Sequence, residues 1–248
     1  MTANEMAENL ENKVDKLSSY GSPGYEDSEI SSVLNTAFWQ YIKSFFDSTS
    51  NRKNTGFEET DARAQALSSL VKQSNCTVSS NQSNVKTNGK FYDLPTDFMY
   101  TLIEEVTIDK LNCVTKENID ATVLFVSSTD YSRWINNSYR KPFYNKFKAR
   151  VWRMIYSQEI PDTLPSVSAT PKRHQLITDG TFNIDTYTVS YLKVPTLIVV
   201  DRETPANQVH CELDVSTHEI ITDIAADLLM ENVKEQRNRN TFKISDLE

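Results

Sequence analysis

The sequence contains few glycines, 5 in 248 residues. Neither GxGxxG nor GxxxxGKS occurs, the two glycine-rich patterns whose backbone N–H groups surround a phosphate. This excludes the nucleotide-binding enzymes that depend on those loops.

Cysteine and histidine are also scarce, with three of each. The cysteines form no CxxC pair and are odd in number, which indicates reduced thiols rather than a disulfide framework. They are Cys76, Cys113 and Cys211. The pair His218-Glu219 begins like the zinc motif HExxH, but position 222 is a threonine, so we expect no metal ion and no cofactor.

Two further patterns were considered as catalytic. Cys211 follows His210, but neighbours in an extended segment point to opposite faces, and Cys211 precedes an apolar helix. We therefore interpret it as a buried structural thiol. Glu104 and Glu105 are adjacent on a predicted strand and face opposite ways for the same reason. The sequence predicts no enzyme.

Long apolar runs are missing. No segment approaches the roughly 18 apolar residues of a membrane span, and the first residues lack the basic and apolar regions of a signal peptide. We expect no contact with a membrane.

The charge is unevenly distributed. The net charge is −8, yet residues 133–173 contain nine basic residues and only two acidic ones, which is +7 against −15 for the rest. The aromatic residues among them are Trp134, Tyr139, Phe143, Tyr144, Phe147 and Trp152. One interpretation is nucleic-acid binding by phosphate contacts and stacking. The other places the aromatics in the core and leaves the cations solvated or against acidic neighbours, and the acidity of the whole chain favours this second interpretation.

The apolar periodicity predicts an α+β fold. Three- and four-residue spacing predicts an N-terminal helix pair, 28–47 and 61–74, and a long C-terminal helix, 216–234. We expect these helices to form a helical bundle, combined with a mostly antiparallel β-sheet in a β-rich part, 88–200. Residues 28–234 would form a single domain. The polar segment 1–27 would be an N-terminal arm that is flexible or ordered by a partner, with at most a weak helix around Met6–Leu17, and 235–248 would be a polar C-terminal tail.

The C-terminal part has the clearest local signals. Alternation of apolar and polar residues over Asp185–Tyr191 predicts a half-buried strand. The segment Lys193–Val200, hereafter the arm, contains Pro195, which cannot donate to a central ladder. Its apolar run would invite aggregation unless a partner covers it. In the helix that follows, Ser216 and Glu219 form a predicted capping box, with Val215 and Ile220 as a hydrophobic staple.

Several segments, taken in order, resemble a known family. They are Phe91-Tyr92-Asp93-Leu94-Pro95-Thr96-Asp97-Phe98, Ser128-Thr129-Asp130-Tyr131-Ser132-Arg133 running to Lys141-Pro142-Phe143, Tyr187-Thr188-Val189-Ser190-Tyr191-Leu192-Lys193-Val194-Pro195, and Cys211-Glu212-Leu213-Asp214-Val215-Ser216-Thr217-His218-Glu219-Ile220-Ile221. Together they resemble head–tail connector (ring or adaptor) structural proteins of crAss-like tailed bacteriophages. The resemblance covers residues 90–233.

The resemblance implies a non-enzymatic adaptor in a symmetric ring of twelve copies at the head–tail junction of the virion, made in the bacterial host cytoplasm. Its partners would be copies of itself, the portal protein and other neck or tail rings, with genomic DNA passing through the channel without sequence specificity. The interface residues expected are Trp39, Arg140, Lys141, Lys148, Arg150, Lys193, Pro195, Leu197 and Val199. The alternative is a soluble α+β binding protein or an enzyme of unknown substrate.

Overall fold

The structure is a computed structural model that describes residues 1–17, 24–46, 61–111, 118–145, 147–157 and 172–245. The helices are α1 (Ala3–Leu17), α2 (Asp27–Phe46), α3 (Asp61–Leu67), α4 (Ser128–Trp134) and α5 (Val215–Ser245). The strands are β1 (Val71–Asn75), β2 (Thr77–Val78), β3 (Gly89–Asp93), β4 (Phe98–Lys110), β5 (Ile119–Phe125), β6 (Phe143–Asn145), β7 (Lys148–Ser157), β8 (Lys172–Ile177) and β9 (Phe182–Lys193). Short 3₁₀ turns lie at Ser68–Leu70 and Pro205–Asn207. The α+β class is confirmed.

The chain divides into two compact units, where we expected a single domain over 28–234. Met1–Leu70 and Pro195–Glu248 form the helical unit, and Val71–Val194 forms the sheet unit. The strands extend from Val71 to Lys193, so they begin earlier in the chain than the predicted β-rich part, 88–200.

In the sheet unit all described strand pairs are antiparallel except β5–β7, which confirms the mostly antiparallel sheet. The strand order is β1-β9-β4-β5-β7-β8-β3-β2, with β6 paired to β7. Because only Cys76 separates β1 from β2, the segment Val71–Val78 pairs with β9 at one end and β3 at the other. The backbone N–H of Cys76 donates to the carbonyl oxygen of Tyr187 at 2.8 Å. The sheet is thereby nearly barrel-shaped.

The sheet has an apolar cluster on each of its two faces. Inside lie alternate residues of the strands, among them Val106, Val151, Leu176 and Tyr187. A smaller cluster around Trp152 includes residues of α4. On β9 the side chains of Tyr187, Val189 and Tyr191 are buried, which confirms the face that the alternation predicted.

In the helical unit, α1 and α2 both contact α5. Contacts between α2 and α3, the predicted N-terminal helix pair, are not among the main contacts of the described helices. The predicted bundle therefore stays a prediction. The predicted helix 61–74 ends early, since residues from Val71 onwards pair with β9 instead. That pairing satisfies the backbone of a Ser- and Asn-containing segment, which has low helix propensity.

Both polar ends contain helical backbone. Residues 1–27 contain α1, in which five apolar side chains recur at helical spacing and are at most 2% exposed. They are Ala3, Met6, Ala7, Leu10 and Val14. At the other end the helical backbone of α5 continues to Ser245, since no glycine or proline interrupts it.

The start of α5 also differs from the predicted capping box. The carboxylate of Asp214 accepts hydrogen bonds from the Ser216 backbone N–H at 2.9 Å and from its hydroxyl at 2.6 Å. Asp214, rather than Ser216, therefore caps the helix. The side chains of Val215 and Ile220 are 66% and 46% exposed, so the predicted staple is wrong. No helix in the described part of the chain is both long and apolar enough to span a membrane.

Candidate functional site

The arm is docked along α2 by a series of hydrogen bonds. Asn35 bonds to both backbone polar groups of Ile198 at 2.8 Å, and the hydroxyl of Ser31 accepts from the Val200 N–H at 2.9 Å. One step further, the carboxylate of Asp27 accepts from the Arg202 N–H at 2.9 Å. Every second residue of the extended segment is thus held by every fourth residue of the helix.

This docking buries one side of the arm and exposes the other. Ile198 and Val200 are 0% and 4% exposed, whereas Leu197 is 57% and Val199 38% exposed. Pro195, predicted as an interface residue, is buried. Val199 also forms an isolated antiparallel bridge to Val209. Only part of the predicted apolar run is therefore available to a partner.

Two other predicted interface residues have intermediate burial. Trp39 lies on α2 in the helical unit. Lys193 ends β9, opposite Phe98 of β4, and takes part in interactions within the chain.

The four basic residues of the predicted interface lie close together around β6 and β7. Arg150 donates to the carbonyl oxygen of Tyr139 at 2.6 Å, and its guanidinium lies 5.2 Å from the ring centre of Phe143. The guanidinium of Arg140 lies 4.6 Å from the ring centre of Trp134. The side chains of Lys141 and Lys148 are exposed.

The aromatic residues of this region differ in burial. Trp152 is 1% exposed, and its Nε1–H donates to the carbonyl oxygen of Arg140 at 2.8 Å. Tyr139 and Phe147 are 90% and 88% exposed. The expectation that the aromatics are core is therefore wrong for these two residues.

A groove of about 530 Å³ lies beside these residues in the sheet unit. Tyr131, Phe143, Trp152 and Ile177 contribute apolar walls, and Lys141 and Asp179 contribute opposite charges. The apolar lining indicates a surface suited to packing.

A buried polar network that no sequence motif predicts lies inside the sheet. The hydroxyl of Tyr187 donates to Oε1 of Glu104 at 2.5 Å, and Oε2 of Glu104 lies 3.1 Å from Nε of Arg153. His174 has Nδ1 2.6 Å from the Tyr187 hydroxyl and Nε2 3.3 Å from Nη1 of Arg153. The four side chains form a closed cycle.

The cycle specifies one tautomer of His174. Arginine can only donate, so Nε2 accepts and Nδ1 carries the proton that it donates to Tyr187. Burial, with a smaller contribution from the Arg153 charge, lowers the pKa of His174 to about 3. Burial raises the pKa of Glu104, and the Arg153 charge and the Tyr187 hydrogen bond oppose that rise.

Both ring nitrogens of His174 and both oxygens of Glu104 have partners within the cycle. We therefore interpret it as a structural device that links β4, β7, β8 and β9. A charged residue between two apolar residues of one strand face, as at Arg153 between Val151 and Ile155, is the signal in the sequence.

The two other sites considered in the sequence are buried. Cys211 is 9% exposed, and burial raises the pKa of its thiol. His218 is 3% exposed with Nε2 3.0 Å from the carbonyl oxygen of Leu213. In the parts of the chain that the structure covers, no three His, Cys, Asp or Glu side chains are grouped so that they could hold a metal ion.

Comparison with known proteins identifies the group to which the chain is related. The family model described as phage tail ring protein 3/4 matches residues 1–241. The chain is also similar to ring protein 4/5 of Bacteroides phage crAss001, with 24% identity over 201 residues that cover 80% of this chain and 75% of the relative. Both findings support the crAss-like phage ring protein that the sequence motifs indicated, a structural component of the virion. Because the match extends over nearly the whole sequence, the chain belongs to the phage tail ring protein 3/4 family.

Proposed function

We propose that this chain is a non-enzymatic subunit of a symmetric ring in the head–tail connector, where it links the portal to the tail and continues the DNA channel. The match to the phage tail ring family over residues 1–241 is the observation that carries the proposal. The relative in phage crAss001 is itself named a ring protein, which supports assembly into a ring.

The arm supplies one proposed contact with a neighbour. Hydrogen bonds to α2 fix its backbone, while Leu197 and Val199 remain exposed on the opposite side. A rigid apolar edge loses little conformational entropy when it binds, so it suits a permanent subunit interface. We place Trp39 and Pro195 of the helical unit in proposed contacts with a partner as well, and the buried Pro195 would act by shaping the arm. Lys193 of the sheet unit is proposed as a separate contact.

The basic residues supply a second proposed contact. Arg140, Lys141, Lys148 and Arg150 form a preorganised positive surface on an acidic protein. A ring built head to tail needs two unlike surfaces on each subunit, and separate basic and acidic regions meet that need. The partners proposed are eleven further copies in a twelve-membered ring, the portal protein, other neck rings, and genomic DNA passing through without sequence specificity.

Immunogold labelling of intact virions tests the location. Antibodies raised against this chain are expected to label the junction between head and tail in negative-stain micrographs. Label confined to the capsid shell or to the distal tail would overturn the connector role. The same holds if no label is seen on virions in which mass spectrometry detects the chain after disruption.

The role of the arm is tested by Leu197→Asp together with Val199→Asp. Incorporation into virions is expected to fall far more than the melting temperature of the isolated chain, because Leu197 is 57% and Val199 38% exposed. Val215→Asp, at an exposed apolar position on α5, is the matched control and should be incorporated normally. Equal loss of folding and of incorporation in the arm variant would contradict the interface role.

A further inference from the structure

Among the described residues, the two most exposed large hydrophobic side chains are aromatic and lie in or next to the hairpin of β6 and β7. Phe147, in the turn, is 88% exposed, and Tyr139, which contacts Arg150 through its carbonyl oxygen, is 90% exposed. Large aromatics and arginines are the residue types enriched at the centres of protein interfaces. We call residues 139–145 and 147–150 the basic hairpin.

The basic hairpin has four cations in the part of the chain that the structure describes, and two of them lie over aromatic rings. Arg140 and Arg150 are stacked on Trp134 and Phe143. Within the described ranges, neither arginine forms an ion pair with a carboxylate, and neither do Lys141 and Lys148. Stacking orders the guanidinium groups before any partner arrives, which lowers the entropy cost of binding.

The strands beside β7 in the same sheet unit carry an adjoining surface of opposite charge, on which Asp120 precedes the Ala121–Ala149 pair just as Lys148 does on β7. On the outward side of β4, β5 and β9, the pairs Glu105–Thr188, Thr107–Thr186 and Thr107–Asp120 are in register, so these side chains form one continuous face. We call it the acidic sheet face. Glu105, Asp120 and Thr186 are exposed, and the face borders a groove of about 370 Å³.

We propose that the basic hairpin of one subunit docks on the acidic sheet face of a second copy of this chain. The cations would meet Glu105 and Asp120, and Phe147 would pack against the methyl groups of the threonines. This inference rests on the proposed ring function and names the two surfaces that join neighbouring subunits.

Charge complementarity favours a copy of the chain over nucleic acid as the occupant. Outside residues 133–173 the chain has a net charge of −15, so an approaching DNA backbone would meet repulsion from most of the protein. A second copy offers the carboxylates and the hydrogen-bonding hydroxyls on one face. Paired charges of this kind mainly fix the orientation of the partner and exclude wrong ones.

Zero-length carbodiimide cross-linking of an equal mixture of ¹⁴N- and ¹⁵N-labelled chains tests the contact directly. The reagent joins an amine to a carboxylate only where they touch, and mixed-isotope peptides identify links between copies. The expected products join Lys148 or Lys141 to Glu105 or Asp120. Links between copies that omit all of these residues would overturn the proposal, as would a wild-type chain that stays monomeric throughout.

Charge exchange provides a second test. Lys141→Glu with Lys148→Glu is expected to weaken self-association at least about tenfold, and so is Glu105→Lys with Asp120→Lys, because each creates like charges at the contact. An equal mixture of the two variants should restore assembly. Lys90→Glu, at an exposed position on β3, is the control and should assemble normally.

The outcomes separate this inference from the proposed function. Variants that assemble like wild type would overturn the docking surface, whereas immunogold labelling decides the connector role independently. If Lys141→Glu with Lys148→Glu assembles normally but loses salt-sensitive retention of double-stranded DNA on filters, the basic hairpin binds DNA instead.

Discussion

Asn35 holds both backbone polar groups of Ile198, since its amide nitrogen donates to the carbonyl oxygen and its amide oxygen accepts from the N–H, both at 2.8 Å. Ser31 and Asp27 repeat the contact at Val200 and Arg202. Four residues of helix advance about 6 Å, and two residues of extended chain advance about 6.6 Å. The two repeats nearly match, so one helix face can hold an extended segment over three steps.

Asn35→Ala is expected to loosen the arm more than it destabilises the helix. It leaves the buried N–H and C=O of Ile198 without partners, at a cost of about 1–3 kcal/mol each. Hydrogen–deuterium exchange should show faster exchange at the Ile198 amide. Thr36→Ala, which removes only a bond to the Ser32 carbonyl within α2, is the control. Unchanged protection at Ile198 would show that packing alone fixes the arm.

Glu104→Gln should destabilise the protein strongly. It leaves the largely buried Arg153 without a counter-charge, and breaking a buried ion pair costs about 3–5 kcal/mol. Urea denaturation measures the loss. Glu105→Gln changes the adjacent, exposed carboxylate and should alter the unfolding free energy by no more than about 0.5 kcal/mol. Similar losses in the two variants would contradict the closed cycle.

His174 should make stability depend on pH. Its pKa is about 3 in the folded protein and 6.5 when unfolded, so only the unfolded chain takes up a proton as the pH falls below 6.5. The contribution of His174 to the free energy of unfolding is fully present above pH 6.5. It decreases toward pH 3, by up to about 1.4 kcal/mol for each pH unit. The raised pKa of Glu104 acts in the opposite direction, since its contribution is lost as the pH rises above 4.5.

His174→Gln isolates this dependence. The variant should be less stable than wild type at pH 7, because it loses packing and hydrogen bonds in the cycle. The difference should shrink between pH 6.5 and pH 5, as measured by urea denaturation at several pH values. A difference that stays constant over that range would show that His174 is protonated alike in both states.

Asp214→Ala should weaken the start of α5 by about 0.5–2 kcal/mol, the usual cost of removing an N-cap. Its carboxylate accepts two hydrogen bonds from Ser216, including the backbone N–H. Ser216→Ala keeps that backbone bond and should cost less. Thermal melts of the two variants show which residue caps the helix. A larger loss of stability in Ser216→Ala than in Asp214→Ala would favour the predicted capping box.

The sequence alone determined the features that depend on local periodicity. The apolar spacing of α2 and the alternation along β9 need only the geometry of one helix or strand, and both predictions agree with the structure. The ordered motifs also indicated a ring protein of crAss-like phages, and the family match supports that part of the prediction. The helix α1 has the same kind of signal in its buried residues, but the many polar residues of segment 1–27 favoured an arm with at most a weak helix around Met6–Leu17.

Tertiary structure decided the features that depend on partners distant in sequence. Val71–Asn75 is a strand because β9 is available to pair with it, although its neighbours favour a helix. The cycle joins Glu104, Arg153, His174 and Tyr187 only because the sheet closes. The arm is half covered because α2 presents Asn35 and Ser31 at the matching spacing. In each case a backbone or charged group is satisfied by a residue far along the chain, and local periodicity contains no information about that residue.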